Sequence, residues 1–146
     1  MNTITFYAAA DAYGYLSNFF AAPIEIDGCT WPTTEHYYQA QKFADPARQA
    51  AIRAASTPDI AKQIAWVDDR GLRSDWQAVR DAVMLTALRA KFTQHPVLRA
   101  QLLETDDALL VEHTHRDNYW GDGGDGSGMN RLGELLMQVR AELRAR

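Results

Sequence analysis

One short segment sets several reactive side chains at helical spacing. Glu35, Gln39 and Lys42 stand at i, i+4 and i+7 in the run EHYYQAQKF and so share one face of a helix, with His36 and Tyr38 at its sides. The helix dipole lowers the pKa of a first-turn glutamate, which suits a base or a group that stabilises positive charge, whereas burial against Trp31 or Trp76 would raise the pKa. A solvated polar stripe has the same spacing, so the pattern by itself supports either interpretation.

The second candidate is the glycine-rich loop Tyr119–Asn130, YWGDGGDGSGMN. Five of the eight positions from Gly121 to Gly128 are glycine. Such a loop can approach a ligand closely and, with the helix start that follows, favours a phosphate or pyrophosphate. The dinucleotide fingerprint needs a βαβ unit and the P-loop ends in Lys-Ser/Thr, so neither fits. A flexible surface connection or a generic calcium loop is the alternative, whereas the Tyr-Trp pair that opens the loop favours a wall for base stacking.

Together these two segments indicate a nucleotide-like ligand. Glu35 and Asp122 are the two carboxylates that we nominate for chemistry on it. His36, His113 and His115 match no metal-binding pattern. We therefore expect structural or solvent-facing histidines, no metal and no cofactor.

Composition limits the classes of protein that these residues could serve. The chain has 146 residues, of which 47% are hydrophobic and 23% charged, so we expect one globular domain over residues 1–146. A formal charge of −4 argues against a broad basic face for duplex nucleic acid. The single cysteine, Cys29, indicates a reducing compartment. With no signal peptide or long apolar run, the sequence predicts a cytoplasmic protein without a membrane segment.

Local signals predict the elements that must position the candidate residues. Strands are expected at Thr3–Tyr7, at Ile24–Ile26 before an Asp27-Gly28 hairpin turn, and at Leu109–His113. Six helices are predicted: one from a Thr33 cap to about Asp45, one over Ala47–Ala55, one from a Thr57 cap with Pro58 to about Ala65, one from a Ser74–Gln77 capping box to Phe92, one over Pro96–Leu103, and one from Asn130 onward. The last helix has a core stripe of Leu132, Leu135, Leu136, Val139 and Leu143.

Several motifs, in order along the whole chain, resemble the YbiA-like NADAR family of N-glycosidases. They are Phe6-Tyr7, Leu16–Phe19, Gly28–Thr33, Glu35–Phe43, Trp76, Ala90–Phe92, Trp120–Gly123 and Asn130–Gly133. The resemblance implies an α+β, mostly helical single domain with a small β-sheet. It also implies N-glycosidase activity, on ribosylamino-pyrimidine phosphate intermediates of riboflavin biosynthesis in some members and on ADP-ribosylated guanine in others.

The same resemblance implies roles for particular residues. Glu35, Trp76 and Asp122 match the family's catalytic candidates, with Trp76 as a stacking wall for the base. Cleavage of a glycosidic bond uses two carboxylates around a transition state with oxocarbenium character. We therefore expect Glu35 and Asp122 to flank the anomeric carbon, with the roles of acid and base open. Lys42 or Lys91 could capture an opened ribose as a Schiff base, and Lys42 shares the face of Glu35.

Further residues are expected to contact the substrate. Its base and ribose would be positioned by Asn18, Phe19, His36, Gln39, Trp120 and Asn130, and its phosphate by Arg80 and the backbone at Gly121 and Gly123. The expected partner is a small ribosyl phosphate or, in the alternative, an ADP-ribosylated nucleic acid. The same pocket could also serve a non-catalytic ADP-ribose-binding module, and the sequence leaves the oligomeric state open.

Overall fold

The computed structural model describes residues 2–146, and these residues form an α+β fold rich in helices. The strands are β1 (Thr3–Phe6), β2 (Ile24–Ile26), β3 (Cys29–Trp31) and β4 (Leu109–Glu112), and the helices are α1 (Thr34–Ala40), α2 (Pro46–Arg53), α3 (Pro58–Val67), α4 (Trp76–Gln94), α5 (Pro96–Glu104) and α6 (Arg131–Arg144). None of these helices combines the length and the apolar character that a membrane crossing requires.

The chain divides into two compact units. The terminal unit combines the N-terminal residues up to Phe20 with Phe92–Arg146, and the middle unit is Ala21–Lys91. Each unit is described separately below. The expectation of a single domain stays a prediction.

A tight hairpin opens the middle unit, as the sequence predicts. Strands β2 and β3 pair antiparallel, with Ile24 opposite Trp31 and Ile26 opposite Cys29. Asp27 and Gly28 both have positive φ, 52° and 78°. A two-residue turn with both central φ angles positive matches the twist of the flanking strands, which is why the Asp-Gly pair is favoured there.

Helices α1, α2 and α3 pack together in the middle unit, and each has the cap that its sequence predicts or allows. The side chains of Thr33, Asp45 and Thr57 accept hydrogen bonds from backbone N–H groups of the first turns of α1, α2 and α3. The core of this unit consists of Ile24, Trp31, Tyr37, Ala40, Phe43, Ile52, Ala61, Ala65 and Ala87.

Helix α1 ends earlier than predicted, and α4 begins later. The amide N–H groups of Lys42 and Phe43 donate to the carbonyls of Gln39 and Ala40, so the chain tightens into i to i−3 turns after Ala40. Lys42 therefore follows the helix rather than lying in it. Helix α4 starts at Trp76, so the residue before its first turn is Asp75 and not the predicted cap Ser74.

In the terminal unit a short parallel sheet packs on the last helix. Strands β1 and β4 pair in parallel from Thr3 opposite Leu109. The predicted stripe of α6 is buried, and α6 packs on β4. A Cβ built on Gly133 would lie 1.9 Å from the carbonyl oxygen of Leu110. The close approach of α6 to β4 thus requires a glycine at this position.

Candidate functional site

Glu35 and Gln39 form a buried pair on α1. Their exposed fractions are 6% and 4%, and the Gln39 Nε2 donates to Glu35 Oε2 over 2.7 Å. This contact uses the i, i+4 spacing that the sequence predicts. The Gln39 Oε1 is buried and has no hydrogen-bond partner in the described structure. Because buried polar atoms are normally paired, this oxygen is a ready acceptor for a ligand N–H or O–H group.

Lys42 lies close to this pair, although it falls outside the helix. Its backbone carbonyl accepts from the Arg73 N–H over 2.9 Å, and its Nζ lies 5.6 Å from the centroid of the Tyr38 ring. Burial lowers the pKa of Lys42, while the charge of Glu35 acts in the opposite direction. A lowered pKa increases the neutral amine fraction, which is the nucleophilic form.

Trp76 is packed against an aromatic residue of α1. Its ring centroid lies 5.1 Å from that of Tyr38, with the planes tilted by 58°, and both side chains are buried. Tyr38 therefore lies between Lys42 and Trp76, and the charge of Glu35 acts on Lys42. Helical spacing alone predicts Tyr38 only at the side of the polar face.

His36 has a structural role that its predicted substrate contact did not anticipate. It is 1% exposed, and both ring nitrogens are engaged: Nε2 lies 3.0 Å from the carbonyl oxygen of Ala55, and Nδ1 lies 2.8 Å from Thr33 Oγ1. Since a carbonyl only accepts, Nε2 carries the proton and Nδ1 accepts from the threonine hydroxyl. Burial lowers the pKa of His36, consistent with a neutral ring. The prediction that His36 contacts the substrate is not supported.

Lys91 is the second lysine that the resemblance implied. It lies on α4 and is fully buried, and burial lowers its pKa to about 7. A large fraction of such a lysine is neutral at physiological pH. Its candidacy for a Schiff base therefore stands beside that of Lys42.

In the terminal unit, the carboxylate of Asp122 is held by three donors. Its Oδ1 accepts from the backbone N–H groups of Thr114, over 3.1 Å, and Gly124, over 2.8 Å. Its Oδ2 lies 2.7 Å from the Nδ1 of His113. The hydrogen bond from His113, followed by those from the two backbone amides, lowers the pKa of Asp122. Asp122 is therefore ionised at neutral pH and unsuited to act as a general acid.

The loop around Asp122 uses its amides internally. The N–H of Gly123 donates to the carbonyl of Asp117 over 3.1 Å, and the N–H of Gly128 donates to the carbonyl of Asp122 over 2.8 Å. At the start of α6, the N–H groups of Arg131 and Leu132 donate to loop carbonyls at 3.0 and 3.1 Å. An anion site needs such donors to be available. The predicted phosphate contact at Gly123 and at this helix start is therefore not supported, whereas that at Gly121 stays a prediction.

Asn130 is also committed to the fold. Its side-chain Oδ1 accepts from the Glu112 N–H and its Nδ2 donates to the Leu110 carbonyl, both over 3.0 Å. Asn130 thus pairs with β4 as a neighbouring strand would, and it adopts a left-handed conformation with φ of 50°. It precedes α6 as predicted, but its side chain does not cap the helix. Its contact with a substrate stays a prediction.

The remaining predicted contacts keep their status as predictions. Trp120 is half-buried and meets Tyr119 edge-on, with ring centroids 4.9 Å apart, and Asp117 Oδ1 accepts from the backbone N–H of both residues. Asn18 is buried and Phe19 half-buried, and the Phe19 N–H donates to Ser17 Oγ. Arg80 is half-buried on α4, one turn after Trp76.

A surface groove and the possible metal ligands were both compared with the predicted site. A groove of about 1110 Å³ in the terminal unit is lined by residues that include Thr3, Tyr13, Tyr15, Gln101 and Glu104, and its described lining contains none of the predicted site residues. Among residues 2–146, no group of three or more His, Cys, Asp or Glu side chains is arranged to hold a metal ion.

The contact of His113 with Asp122 could not be predicted from the sequence. The spacing of His113 from His115 matches no metal-binding pattern, and the sequence predicts only a structural or solvent-facing side chain. Nothing in the local spacing links it to Asp122, since the contact depends on the loop folding back to the end of β4. The fold-back is fixed by the Asp122 N–H, which donates to the Glu112 carbonyl over 2.9 Å.

Comparison with known proteins places the chain in a family. The family model described as "NADAR domain" matches residues 5–144. N-glycosidase YbiA of Escherichia coli (strain K12) is 54% identical over 140 residues, which cover 96% of this chain and 88% of the relative. An N-glycosidase of Nostoc punctiforme is 44% identical over 145 residues, covering 97% and 93%. A riboflavin biosynthesis protein of Vibrio vulnificus is 44% identical, covering 96% of this chain and 38% of that protein.

The fold agrees with this relationship. The NMR structure of the E. coli protein YbiA matches with a TM-score of 0.91 at 53% sequence identity, covering 99% of this chain and 86% of that one. The observed α+β fold is therefore the one that the sequence motifs implied. With a family model that matches nearly its whole length and relatives at this level of identity, the chain belongs to the NADAR family.

Proposed function

We propose that this N-glycosidase hydrolyses the bond between the anomeric carbon of a ribose phosphate and the amino nitrogen of a pyrimidine. The substrate class is that of the ribosylamino-pyrimidine phosphate intermediates of riboflavin biosynthesis. Relatives named N-glycosidase support the reaction, and the relative named as a riboflavin biosynthesis protein supports the substrate. The pair of Glu35 with Gln39 is the structural observation on which the proposal rests.

Glu35 has the environment that the reaction asks of a carboxylate. The Glu35 side chain is buried and accepts a hydrogen bond from Gln39 Nε2 over 2.7 Å. When the C1–N bond breaks, its electron pair passes to the amino nitrogen and positive charge develops at C1. The Glu35 carboxylate stabilises that charge while water adds to C1, and the proton that the water loses passes to the departing nitrogen. The products are the free aminopyrimidine and the ribose phosphate.

Gln39 is assigned to the recognition of a substrate donor. Its Nε2 is directed to Glu35, so its buried Oε1 is left as an acceptor. A ribose hydroxyl or an N–H of the base can supply the missing donor. Trp76 and Trp120 are assigned to the base and Arg80 to the phosphate, with Asn18 and Phe19 as further contacts.

A lysine is assigned to the opened form of the sugar. In that form C1 is an aldehyde, and a neutral amine adds to it with loss of water to form an imine, which water later hydrolyses. Lys42 is our first choice because it lies beside Tyr38 and interacts with the charge of Glu35. Lys91 is the alternative because burial brings its pKa to about 7.

A comparison of two substrates tests the proposal. Purified protein is incubated with a ribosylaminouracil phosphate and, separately, with an oligonucleotide carrying ADP-ribosylated guanine, and the released base is quantified by chromatography. We expect kcat/KM to be higher for the ribosylaminouracil phosphate. Turnover of the oligonucleotide alone would overturn the substrate assignment. Tight binding of ADP-ribose with turnover of neither compound would instead identify a non-catalytic module.

A further inference from the structure

The pairing of His113 with Asp122 carries an inference about the proposed reaction, and it rests on that proposal. We propose that His113 is the proton carrier of the hydrolysis and that Asp122 is the residue that positions it. The sequence motif nominated Asp122 as a catalytic carboxylate. In this proposal Asp122 holds the imidazole of His113, and the second ring nitrogen of His113 transfers the proton.

The hydrogen bonds of Asp122 leave it little capacity for direct chemistry. Two backbone N–H groups point at its Oδ1 and the His113 ring at its Oδ2. Its side chain is 12% exposed. Of the roughly four acceptor positions of an ionised carboxylate, three are thus used by donors of the protein itself. An ionised carboxylate only accepts, so His113 must carry a proton on Nδ1. The tautomer of His113 is thereby fixed with Nε2 as the exchanging nitrogen.

His113 has a fixed backbone and an accessible ring. Its N–H donates to the Phe6 carbonyl over 3.0 Å at the end of β4, while its side chain is 56% exposed. A histidine that serves only packing is normally enclosed, as His36 is in the middle unit. A ring anchored at Nδ1 and largely open to solvent instead offers Nε2 to a ligand.

Glycines allow the loop to close around Asp122. A Cβ built on Gly128 would lie 2.5 Å from the carbonyl carbon of Asp122, and one built on Gly124 would lie 2.9 Å from the Cβ of His115. No other residue fits these contacts without a shift of the backbone. The glycine-rich composition, which the sequence analysis connected with phosphate, therefore serves the geometry of the Asp122 carboxylate.

In the proposed step one atom, Nε2 of His113, both gives up a proton and recovers one. The C1–N bond breaks, its electron pair goes to the departing nitrogen, and that nitrogen takes the proton from the protonated Nε2 of His113. Water then forms the new C1–O bond, and the proton that it loses returns to Nε2. Asp122 holds Nδ1 throughout, so the ring keeps its orientation during both proton transfers.

Replacement by asparagine separates proton transfer from loop closure. In His113→Asn the side-chain amide can still donate to Asp122 from a position close to that of Nδ1, but nothing replaces Nε2. We expect kcat to fall about 10²- to 10⁴-fold, as on removal of a general acid–base group. KM and the melting temperature should be close to those of the wild type. His115→Asn is the matched control, since His115 is an exposed histidine two positions away, and it should keep wild-type kcat.

Chemical rescue supplies a readout that a structural histidine would not move. Imidazole added to His113→Ala should restore turnover in a concentration-dependent, saturable manner. Full activity of His113→Asn, or a loss of activity in His113→Ala that imidazole does not restore, would overturn the assignment of His113. In both cases wild-type turnover would leave the proposed function intact. If the wild type itself cleaved no N-glycosidic bond, both the proposed function and this inference would fail.

Discussion

Gln39 donates its side-chain amide to the carboxylate of Glu35 over 2.7 Å, and its own oxygen is buried without a hydrogen-bond partner. One half of this amide thus serves the protein and the other half is available to a ligand. A purely structural glutamine would have both halves satisfied. We therefore propose that the pair connects the stability of α1 with the recognition of a substrate.

Removing the Gln39 amide should affect both properties. In Gln39→Leu the buried Glu35 carboxylate loses a donor, and we expect the free energy of unfolding to fall by about 1–3 kcal/mol. We also expect KM to rise, because the acceptor for the substrate is lost. Urea unfolding and steady-state kinetics measure the two effects. Gln138→Leu is the matched control, since Gln138 and Glu142 have the same i, i+4 spacing on an exposed face. Equal effects of the two variants would contradict the role of Gln39.

His36 should make the protein less stable in mild acid. Its pKa is lowered in the folded state by burial, so below its ordinary value of about 6.5 the unfolded chain binds a proton that the folded chain does not. Stability therefore falls as pH falls, with a slope of up to about 1.4 kcal/mol per pH unit. Urea unfolding of the wild type and His36→Gln from pH 7.5 to pH 5 measures the difference. Identical pH slopes in the two proteins would show that His36 is not held neutral.

Gly133 should tolerate no side chain. Alanine is normally the better residue in a helix by about 1 kcal/mol, but here its Cβ would lie 1.9 Å from the Leu110 carbonyl oxygen. We expect Gly133→Ala to destabilise by about 1–3 kcal/mol or more through overpacking. Gly126→Ala is a comparison with open space around the Cβ and only its positive φ to strain it. If Gly133→Ala were stabilising by thermal denaturation, the observed packing of α6 on β4 would be incorrect.

Borohydride reduction should identify the reactive lysine. Reduction during turnover converts an imine into a stable amine, so the modified lysine carries the mass of the reduced sugar phosphate. We expect the adduct at Lys42, and we expect Lys42→Arg to abolish it while Lys91→Arg retains it. Peptide mapping by mass spectrometry locates the adduct. An adduct confined to Lys91 would reverse the assignment, and the absence of any adduct during turnover would exclude a long-lived imine.

Local signals explain which parts of the fold could be predicted. The caps at Thr33 and Thr57 and the Asp27-Gly28 turn depend on contacts within a few residues, and all three are observed. The parallel pairing of β1 with β4 was not predicted, because it joins segments from the beginning and the later part of the sequence. Long-range strand pairs leave no comparable local signature.

The candidate site follows the same division. The contact of Glu35 with Gln39 was predictable because helical spacing determines it. The engagement of the Asn130 side chain with β4 and that of His113 with Asp122 depend on how the loop returns to the strand. The motif around Asp122 identified an important residue, but it did not reveal whether its carboxylate meets the substrate or another side chain.

The central claim is that Glu35 drives cleavage of an N-glycosidic bond, and a single-turnover measurement tests it most directly. Excess enzyme is mixed with a ribosylaminouracil phosphate, and the rate of aminopyrimidine release is compared for the wild type, Glu35→Gln and Asp59→Asn. Asp59 is the matched control because it is an exposed acid in the first turn of α3, as Glu35 is a buried one in α1. We predict a rate at least about 100-fold lower for Glu35→Gln and an unchanged rate for Asp59→Asn. A Glu35→Gln variant that releases the base at the wild-type rate would contradict the claim.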